Sequence, residues 1–577
     1  MKTNNETFPW LNQYEIDGIS DDLEYSNESL YKILEESANQ FKNNVALEYF
    51  GTEISYEELL NQIKVCAKAL QSLNVSGGER VIICMPNTPE AVIMFYAVNA
   101  VGAVACMVHP LSAEGEIETY LNETEAKIAF TVDFCYKKFR NIKEKTRLQD
   151  IITASVAVSM PNTTSVLYWA FKGHKKNKID EVIGKETISW QSFLKRGWND
   201  NINYIAETVA SDEAVVLFSG GTTGKPKGIL LSHLNFNALL PQIREMFHFT
   251  SQDSILGILP LFHGFGLGVC THYALSIGAK IHLIPQFSLK TFENMIKTRK
   301  PTVIVGVPTL YEAFINCSGL ENVDLSFITT VVSGGDTLTP DLKKKVDRFL
   351  SDHNSKAVIR EGYGLTECVS SCAVTPITNH KEGSIGIPFP GMEMKICDAK
   401  TKAEVAFGEE GEICISGPTV MTGYLNGENE TKKTLQRHSD GKIWLHTGDL
   451  GKMDKDGYLY FTLRMKRIII TSGYNVYPGS IEEILNSHPA IASSVVVGML
   501  DPYKQQRVKA VIVLKKGFKE SEELESIKQL CKKNIAQYAL PSEYEFMQQL
   551  PKTLIGKIDY RTLEETGVEE VRETNNE

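Results

Sequence analysis

Several features that would point at once to a function are missing from this sequence. Its 11 cysteines are odd in number, scattered and never spaced Cys-x-x-Cys. Neither a disulfide framework nor a zinc site is therefore indicated, and the thiols suit a reducing cytosol. Basic charge is also scarce: the net charge of −11 argues against a general nucleic-acid binder, because such proteins need a basic surface. An anionic substrate must be held by local positive charge.

Export and membrane signals are equally sparse. The N-terminal residues are polar and contain no apolar stretch, so no signal peptide is predicted. Residues 91–108 form an uncharged run of 18, at the lower limit for crossing a bilayer. Thr88 as an N-cap, Pro89 at the first helical position and Gly102 as a stop favour a buried helix followed by a buried strand. We expect a cytoplasmic protein without a transmembrane segment, and peripheral membrane contact is left open.

What the sequence does contain is a glycine-rich, basic loop at residues 219–228, Ser-Gly-Gly-Thr-Thr-Gly-Lys-Pro-Lys-Gly. Glycines let the backbone approach a ligand closely, while amides, hydroxyls and two ammonium groups converge on phosphate oxygens. Pro226 follows Lys225 where a Walker A loop has serine or threonine, so this is a different phosphate loop. Apolar runs at 214–218 and 229–231 predict a buried strand on either side.

The rest of the chain alternates between two periodicities. From Leu30 onward, helix-like segments such as 56–73 are followed by strand-like segments such as 80–85. This alternation is typical of an α/β fold with largely parallel sheets.

The chain is long enough for more than one domain. We predict a lead-in segment at residues 1–29, a large N-terminal domain at 30–465 and a small C-terminal domain at 466–577, which can hold a core of its own. Residues 136–203 are less regular and include a basic run at 172–178, so we expect a surface insertion there. Such a run is usually solvated, and its use against anionic lipid is the less favoured alternative.

Further segments combine with the loop, and each alone is a weak signal. They lie, in chain order, at residues 258–268, 332–336, 361–367, 444–449, 463–466, 471–478 and 551–557. In this order they resemble the adenylate-forming enzymes, which include acyl-CoA synthetases, firefly luciferase and the adenylation domains of nonribosomal peptide synthetases. The resemblance covers residues 30–563. It implies two packed α/β subdomains and a distorted β-barrel in the N-terminal domain, and a mobile α+β C-terminal domain.

The resemblance also implies chemistry in two steps that use ATP, Mg²⁺ and CoA. A carboxylate attacks the α-phosphate of Mg·ATP, giving an acyl-adenylate and pyrophosphate, and a thiol then takes the acyl group. Because the first step brings two anions together, catalysis should consist mainly of positioning and charge neutralisation.

By this resemblance the phosphate loop closes over the β- and γ-phosphates through Ser219, Gly220, Gly221, Thr222, Thr223, Gly224, Lys225 and Lys227. Adenine would stack on Tyr363. The remaining nucleotide-binding positions would be Gly334, Gly335, Asp336, Glu361, Gly362 and Gly364. Asp449 would accept both ribose hydroxyls, with Arg464 on the other side. A surface ion pair is the plain alternative for those two residues.

Four side chains are candidates for catalysis. Thr366 would hydrogen-bond the α-phosphate, and Glu367 would hold Mg²⁺, which prefers carboxylate oxygen. Lys557 would bridge the substrate carboxylate and the α-phosphate as a compact point charge. His263 would gate the acyl pocket, although a lone histidine in apolar surroundings is often only a core residue.

The second step would follow rotation of the C-terminal domain about Lys466. This rotation would bring Ser472, Gly473 and Tyr474 to the site, where Gly473 leaves room for the pantetheine arm of CoA. Leu463 stands where glycine usually precedes the motif arginine, which puts the hinge geometry in doubt.

The choice of acid and acceptor is supported by fewer residues. His263 follows Phe262 where amino-acid-activating relatives carry aspartate, so an amino-acid substrate is disfavoured. The segments 472–478 and 363–368 look closest to those of medium- and long-chain fatty-acid CoA ligases, so a fatty acid and CoA are favoured. Gly306, within the segment 305–308, is expected to leave space for the chain. An aryl acid, a carrier-protein acceptor, a luciferase-like oxygenation and a non-catalytic nucleotide- or acyl-binding regulator stay open, as does a homodimer.

Overall fold

The computed structural model describes residues 8–161, 187–198, 204–219, 226–467, 469–471, 474–476, 478–501, 505–535, 539–553, 557–560 and 562–564. The chain divides into two compact units. The first unit contains Met1–Met394, Cys414–His446 and Lys455–Tyr458, and the second unit contains Lys395–Ile413, Thr447–Asp454 and Leu459–Glu577.

The helices are numbered in chain order. They are α1 Leu11–Asp17, α2 Leu30–Gln40, α3 Tyr56–Ser72, α4 Pro89–Ala100, α5 Glu114–Thr124, α6 Tyr136–Ile142, α7 Trp190–Arg196, α8 His233–Asn237, α9 Leu239–Phe247, α10 Ala274–Ser276, α11 Leu289–Thr298, α12 Pro308–Ile315, α13 Pro340–Asp352, α14 Glu428–Thr434, α15 Pro478–Asn486 and α16 Glu520–Asn534. A π-helix spans Phe265–Tyr273. Short 3₁₀ turns cover Asp133–Cys135, Lys143–Lys145, Ser318–Leu320, Thr366–Cys368 and Met465–Arg467.

The strands are numbered in the same way. They are β1 Val45–Tyr49, β2 Thr52–Ser55, β3 Arg80–Cys84, β4 Val104–Met107, β5 Ile128–Val132, β6 Asp150–Ala154, β7 Ile188–Ser189, β8 Glu213–Ser219, β9 Lys227–Ser232, β10 Ser254–Gly257, β11 Lys280–Leu283, β12 Val303–Gly306, β13 Thr330–Gly334, β14 Ile359–Tyr363, β15 Ala373–Val374, β16 Ile387–Pro388, β17 Glu393–Cys397, β18 Gly411–Ser416, β19 Gly423–Tyr424, β20 Leu435–Arg437, β21 Ile443–Met453, β22 Leu459–Arg464, β23 Ile469–Thr471, β24 Tyr474–Val476, β25 Ile491–Asp501, β26 Gln505–Leu514 and β27 Glu543–Phe546.

Two large sheets organise the first unit. One has the order β19-β9-β8-β4-β3-β5-β6-β7 and the other β16-β15-β14-β13-β12-β10-β11-β1-β2. Their inner strands pair in parallel, and antiparallel strands complete the edges, for example β9 beside β8 and β15 beside β14. A third sheet has the order β17-β18-β21-β20, with β22 beside β21. The α/β class with largely parallel sheets is confirmed.

Local sequence signals explain the helices that were predicted. Ser55 and Glu58 form a reciprocal capping box at the start of α3. Thr88 accepts a hydrogen bond from the Ala91 N–H at the start of α4, with Pro89 at the first helical position. Every residue of α4 is buried, and the strand β4 that follows is buried too, as predicted. Among the residues that the structure describes, no helix has the length and apolar content needed to cross a bilayer.

The surface insertion predicted for residues 136–203 is not what the structure shows over 136–161 and 187–198. Strand β6 pairs in parallel with β5 inside the eight-stranded sheet. The side chains of Phe139, Ile142 and Phe193 are fully buried. These short elements have too few residues to display a period, so the sequence resembled a loop. Residues 162–186 and 199–203, with the basic run, lie outside the described residues.

The second unit has a sheet of its own with the order β24-β23-β26-β25 and with β27 beside β26. Its core includes Ile469, Leu485 and Ile527, which are fully or almost fully buried. This agrees with the prediction that the C-terminal residues can hold a separate core. The second unit also takes in 395–413 and 447–454, whereas the predicted boundary lay at 465/466. The hinge at Lys466 stays a prediction.

Candidate active site

The phosphate loop connects two strands of a buried hairpin. Ser219 ends β8 and pairs with Lys227, which begins β9. The Leu425 N–H donates to the Gly228 carbonyl (2.8 Å), and a Cβ on Gly228 would lie 3.0 Å from the Leu425 Cβ. The two ends of the loop are therefore fixed by the sheet. Gly220, Gly221, Thr222, Thr223, Gly224 and Lys225 lie outside the described residues.

A carboxylate turn lies beside this hairpin. Thr366 and Glu367 occupy the 3₁₀ turn that follows β14, and both are half-buried. The Met421 N–H donates to the Glu367 carbonyl (2.7 Å), and the Thr422 N–H donates to the Leu230 carbonyl (3.0 Å) on β9. Residues 421–424 thus connect the turn that carries Thr366 and Glu367 to the hairpin that carries the phosphate loop.

The turn ends in an unusual backbone conformation. Val369 has φ +63°, which is rare for a β-branched residue and marks local strain. Its carbonyl oxygen packs against Gly264, where a Cβ would lie only 1.5 Å away. Only glycine fits at that position. The close approach holds the segment containing His263 against the turn containing Glu367.

His263 is half-buried and stands just before the π-helix. Its Nδ1 accepts a hydrogen bond from the Phe265 N–H (3.3 Å), so the neutral ring carries its proton on Nε2. Its carbonyl accepts from the Leu267 N–H (2.9 Å). π-helical turns are rare and often lie at functional sites. His263 is therefore contacted mainly by its own neighbours in the chain, and its role as a gate stays a prediction.

The predicted adenine-binding segments meet on β13 and β14. Gly334 pairs with Gly362, and a Cβ on Gly334 would lie 3.1 Å from the Phe265 ring. Gly335 has φ +82°, a left-handed conformation that glycine adopts without strain. Tyr363 is buried at the end of β14. The structure therefore brings these glycines and the aromatic ring to one end of the nine-stranded sheet.

Glu361 and Asp336 are placed differently from one another. Glu361 is buried and accepts a hydrogen bond from the Leu338 N–H (3.2 Å). Burial raises the pKa of this carboxyl group to about 7. Asp336 is partly exposed and accepts from the Thr337 N–H (2.9 Å). Glu361 thus anchors the loop that carries Asp336.

Gly364, the last of the predicted nucleotide-binding glycines, packs closely against Ser370. A Cβ on Gly364 would lie 1.6 Å from the Ser370 carbonyl oxygen.

An apolar pocket lies behind Gly362. Its lining is hydrocarbon apart from one hydroxyl and the backbone, and consists of Ile243, Phe247, Phe249, Phe265, Val269, Val305, Val332, Gly362, Ser371, Val374 and Phe389. Val305, in the segment 305–308, lines this pocket. Gly306 does not leave space for a chain, because a Cβ there would lie 2.3 Å from Leu310 Cδ2 on α12. The absence of a side chain at Gly306 serves helix packing.

In the second unit, Asp449 and Arg464 stand directly opposite each other on β21 and β22. The Arg464 Nε lies 3.1 Å from Asp449 Oδ1. The Asp449 side chain is 2% exposed, whereas that of Arg464 is 55% exposed. The two predicted ribose-binding residues are therefore adjacent, with the carboxylate held inside and the guanidinium at the surface.

Lys557 closes a tight turn of the second unit. The Thr553 N–H donates to the Lys557 carbonyl (2.6 Å), and the Lys557 N–H donates to Thr553 Oγ1 (3.2 Å). Lys466 lies in the 3₁₀ turn Met465–Arg467. Tyr474 begins β24, while Ser472 and Gly473 lie outside the described residues.

Comparison with known proteins decides the family. The model of the AMP-binding enzyme family matches residues 34–425, and that of the AMP-binding enzyme C-terminal domain matches residues 480–557. The chain belongs to the AMP-binding enzyme family. A long-chain-fatty-acid–CoA ligase of Bacillus subtilis is 34% identical over 571 residues, covering 97% of this chain and 98% of the relative. A probable 4-coumarate–CoA ligase 3 of Dictyostelium discoideum is 29% identical, covering 89% and 90%.

A solved structure supports the same family and fold. The ATP-bound RpMatB-BxBclM chimera B1 has a TM-score of 0.81 to this AMP-binding enzyme at 25% identity, covering 94% of this chain and 99% of the other. The mixed α/β architecture with a smaller C-terminal part is therefore that of the adenylate-forming enzymes.

The described residues of this AMP-binding enzyme fit Mg²⁺ and a nucleotide. Glu367 supplies hard carboxylate oxygen at a half-buried position, which is the donor that Mg²⁺ prefers. Lys227 supplies an ammonium group at the base of the phosphate loop, and Gly335 supplies a backbone that no side chain obstructs. In the second unit, described by itself, Asp449 supplies a buried carboxylate that can accept hydrogen bonds from hydroxyls.

One residue at this site was missed by the sequence analysis. Tyr424 lies on the two-residue strand β19, which pairs with β9. Its hydroxyl donates to Glu367 Oε1 (2.9 Å), and the Lys227 Nζ lies 4.9 Å from the centre of its ring. A two-residue strand has no periodicity, and a lone Gly-Tyr pair carries no chemical motif. Only the fold shows that Tyr424 contacts both Glu367 and Lys227.

Proposed function

We propose that this AMP-binding enzyme is an ATP-dependent acid–CoA ligase that acts on fatty acids. The observation that carries the choice of acid is the apolar pocket behind Gly362. Among its described lining side chains only Ser371 is polar, so the pocket offers no charged partner for an amino group or for a second carboxylate. A hydrocarbon chain is the ligand that such a lining stabilises.

In the first step, a carboxylate oxygen attacks the α-phosphorus of ATP, and the bond to the β-phosphate breaks to release pyrophosphate. Thr366 donates a hydrogen bond to the α-phosphate, and Lys557 neutralises the two anions that approach each other. The phosphate loop, including Ser219 and Lys227, holds the leaving pyrophosphate. Mg²⁺ held by Glu367 supplies charge neutralisation at the phosphates.

The nucleotide is held by backbone and by hydroxyl contacts. Adenine lies against Tyr363 and the glycine backbone of β13, close to Asp336. Asp449 accepts hydrogen bonds from the ribose hydroxyls, and Arg464 orients that carboxylate through the ion pair. The support for these roles is the pairing of Gly334 with Gly362 and the ion pair of Asp449.

In the second step, the sulfur of CoA attacks the acyl carbon, and AMP leaves with the shared oxygen. Rotation about Lys466 brings Ser472, Gly473 and Tyr474 to the acyl-adenylate, and His263 moves to open the acyl pocket. The Bacillus subtilis relative supports a fatty acid through its name, while the Dictyostelium relative is named for an aryl acid. The aryl acid is therefore the competing outcome of the test.

The test is acid-dependent exchange of radioactive pyrophosphate into ATP, measured with butyrate, octanoate, palmitate, benzoate and 4-coumarate. CoA or a phosphopantetheinylated carrier protein is then added as acceptor. We expect exchange with the aliphatic acids and thioester formation with CoA. Exchange confined to the aryl acids would overturn the choice of acid, and exchange with none would overturn the proposal.

We place the reaction in the cytosol, because all 11 cysteines are free thiols buried inside the protein and a reducing compartment keeps them so. A homodimer and peripheral membrane contact form no part of this proposal, and the basic run at 172–178 lies outside the described residues.

A further inference from the structure

Tyr424 connects two groups of opposite charge. Its hydroxyl donates to Glu367 Oε1 at 2.9 Å, and the Nζ of Lys227 lies over its ring at 4.9 Å from the ring centre. Both groups have roles in the proposed reaction, one as the ligand of Mg²⁺ and the other as a contact of the leaving pyrophosphate. Tyr424 takes no direct part in either step of that reaction.

The tyrosine is held firmly from the side away from the phosphate loop. Its N–H donates to Thr431 Oγ1 (2.9 Å), near the middle of α14. Strand β19, in turn, pairs with β9, which begins at Lys227. The backbone of Tyr424 is thus held both by α14 and by β9, and this determines where the ring lies.

This placement answers a physical difficulty at the site. A lysine and a glutamate that contact the same side chain attract each other, and an ion pair between them would occupy the carboxylate that Mg²⁺ needs. The ring face of a tyrosine attracts an ammonium group without using a carboxylate oxygen. A hydrogen bond to one oxygen of Glu367 fixes the carboxylate while leaving its second oxygen available for a cation.

We propose that Tyr424 is a positioning residue that orients Glu367 toward Mg²⁺ through its hydroxyl and keeps Lys227 apart from that carboxylate through its ring. The inference rests on the proposed function, because the assignment of Mg²⁺ to Glu367 belongs to it. Tyr424 touches neither reacting atom, and its effect passes through the two side chains that it contacts.

Two substitutions distinguish the effect of the Tyr424 hydroxyl from the effect of its ring. Tyr424→Phe keeps the ring under Lys227 and removes only the donor to Glu367. Loss of a hydrogen-bond partner of a metal ligand typically weakens metal affinity by about 10–100-fold. We expect the Mg²⁺ concentration for half-maximal pyrophosphate exchange to rise by about that factor, while the KM for ATP at saturating Mg²⁺ changes by less than about twofold. Tyr424→Leu should raise the KM for ATP as well.

A binding measurement that does not depend on catalysis tests the same role. Mn²⁺ is titrated into the protein saturated with α,β-methylene ATP, and free Mn²⁺ is followed by electron paramagnetic resonance. We expect Tyr424→Phe to weaken Mn²⁺ binding by about 10–100-fold. Tyr14→Phe, which removes a buried hydroxyl that donates to the Pro388 carbonyl (2.7 Å), is the matched control and should bind Mn²⁺ as the natural protein does.

The outcomes separate this inference from the proposed function. Equal Mn²⁺ affinity and equal Mg²⁺ dependence in Tyr424→Phe and the natural protein would overturn the inference even when exchange is active. Absence of exchange with every acid would overturn the proposed function, and the Mn²⁺ titration would still decide the role of Tyr424. If Tyr424→Phe does not fold, Thr431→Val serves in its place, because it removes the hydroxyl that accepts from the Tyr424 N–H and so loosens the anchor of the ring. An unchanged Mn²⁺ affinity in that variant would then count against the inference.

Discussion

Two glycines allow segments of the candidate site to pack in direct contact. Gly264 lies against the Val369 carbonyl, and Gly364 lies against the Ser370 carbonyl, at distances that leave no room for a side chain. These contacts fix His263 and Glu367 relative to each other. By resemblance, Gly364 was expected to contribute backbone to the nucleotide site. The structure shows that at these two positions the glycines serve close packing of one site segment on another.

The buried carboxyl group of Glu361 is expected to make the free energy of unfolding depend on pH. Its folded-state pKa of about 7 lies above the ordinary value of 4.5, so the folded protein binds an extra proton between those pH values. Stability from this carboxyl group is therefore present at low pH and is lost as the pH rises through about 7. Relative to Glu361→Gln, the free energy of unfolding of the natural protein should fall by up to about 3 kcal/mol between pH 5 and pH 8.

Urea denaturation of both proteins at the two pH values measures this difference. Glu321→Gln, at an exposed glutamate, is the matched control and should show the same pH dependence as the natural protein. Parallel pH profiles for Glu361→Gln and the natural protein would show that Glu361 is ionised in the folded state at pH 5, contrary to its burial beside Leu338.

Substitution of Lys557 is expected to impair adenylation and to spare thioester formation. Lys557→Ala should lower acid-dependent pyrophosphate exchange by at least about 100-fold, because a charge that stabilises the transition state is removed. Thioester formation from CoA and supplied acyl-adenylate should remain close to that of the natural protein. Lys552→Ala, at an exposed lysine of the same turn region, should leave both unchanged. Equal loss of both half-reactions in Lys557→Ala would contradict a role confined to adenylation.

Among the secondary-structure elements, long and capped ones could be predicted, and short ones could not. Helices α3 and α4 follow from their caps and their apolar residues, and the strands around the phosphate loop follow from apolar runs. The two-residue strand β19 is too short to show a period, and its partner β9 is distant in sequence. Tyr424 was missed for this reason, whereas Glu367 and Lys227 were found from motifs.

A residue on the π-helix Phe265–Tyr273 is expected to limit the length of the acyl chain that the pocket accepts. Val269 lies on it and lines the apolar pocket. Val269→Phe should fill the pocket and lower kcat/KM for palmitate by about 10–100-fold relative to butyrate, as overpacking typically costs about 1–3 kcal/mol. Val269→Ala should not lower the rate with palmitate. Steady-state kinetics over the series of aliphatic acids measures both. An unchanged preference in Val269→Phe would show that the chain binds elsewhere.

At the scale of the whole molecule, the chain forms two compact units, and two family models match residues 34–425 and 480–557. The predicted domain bounds of 30–465 and 466–577 stay a prediction. The division within residues 395–458 could not be predicted, because it follows the pairing of strands that are distant in sequence. Rotation about Lys466 stays a prediction.

The central claim is that a carboxylate oxygen attacks the α-phosphorus of ATP before CoA attacks the acyl carbon. The measurement that tests it most directly uses a fatty acid labelled with oxygen-18 in both carboxylate oxygens, with ATP and CoA, and mass spectrometry of the nucleotide product. The account predicts AMP that carries one labelled oxygen for each thioester formed. Unlabelled AMP, or ADP together with labelled inorganic phosphate, would contradict it.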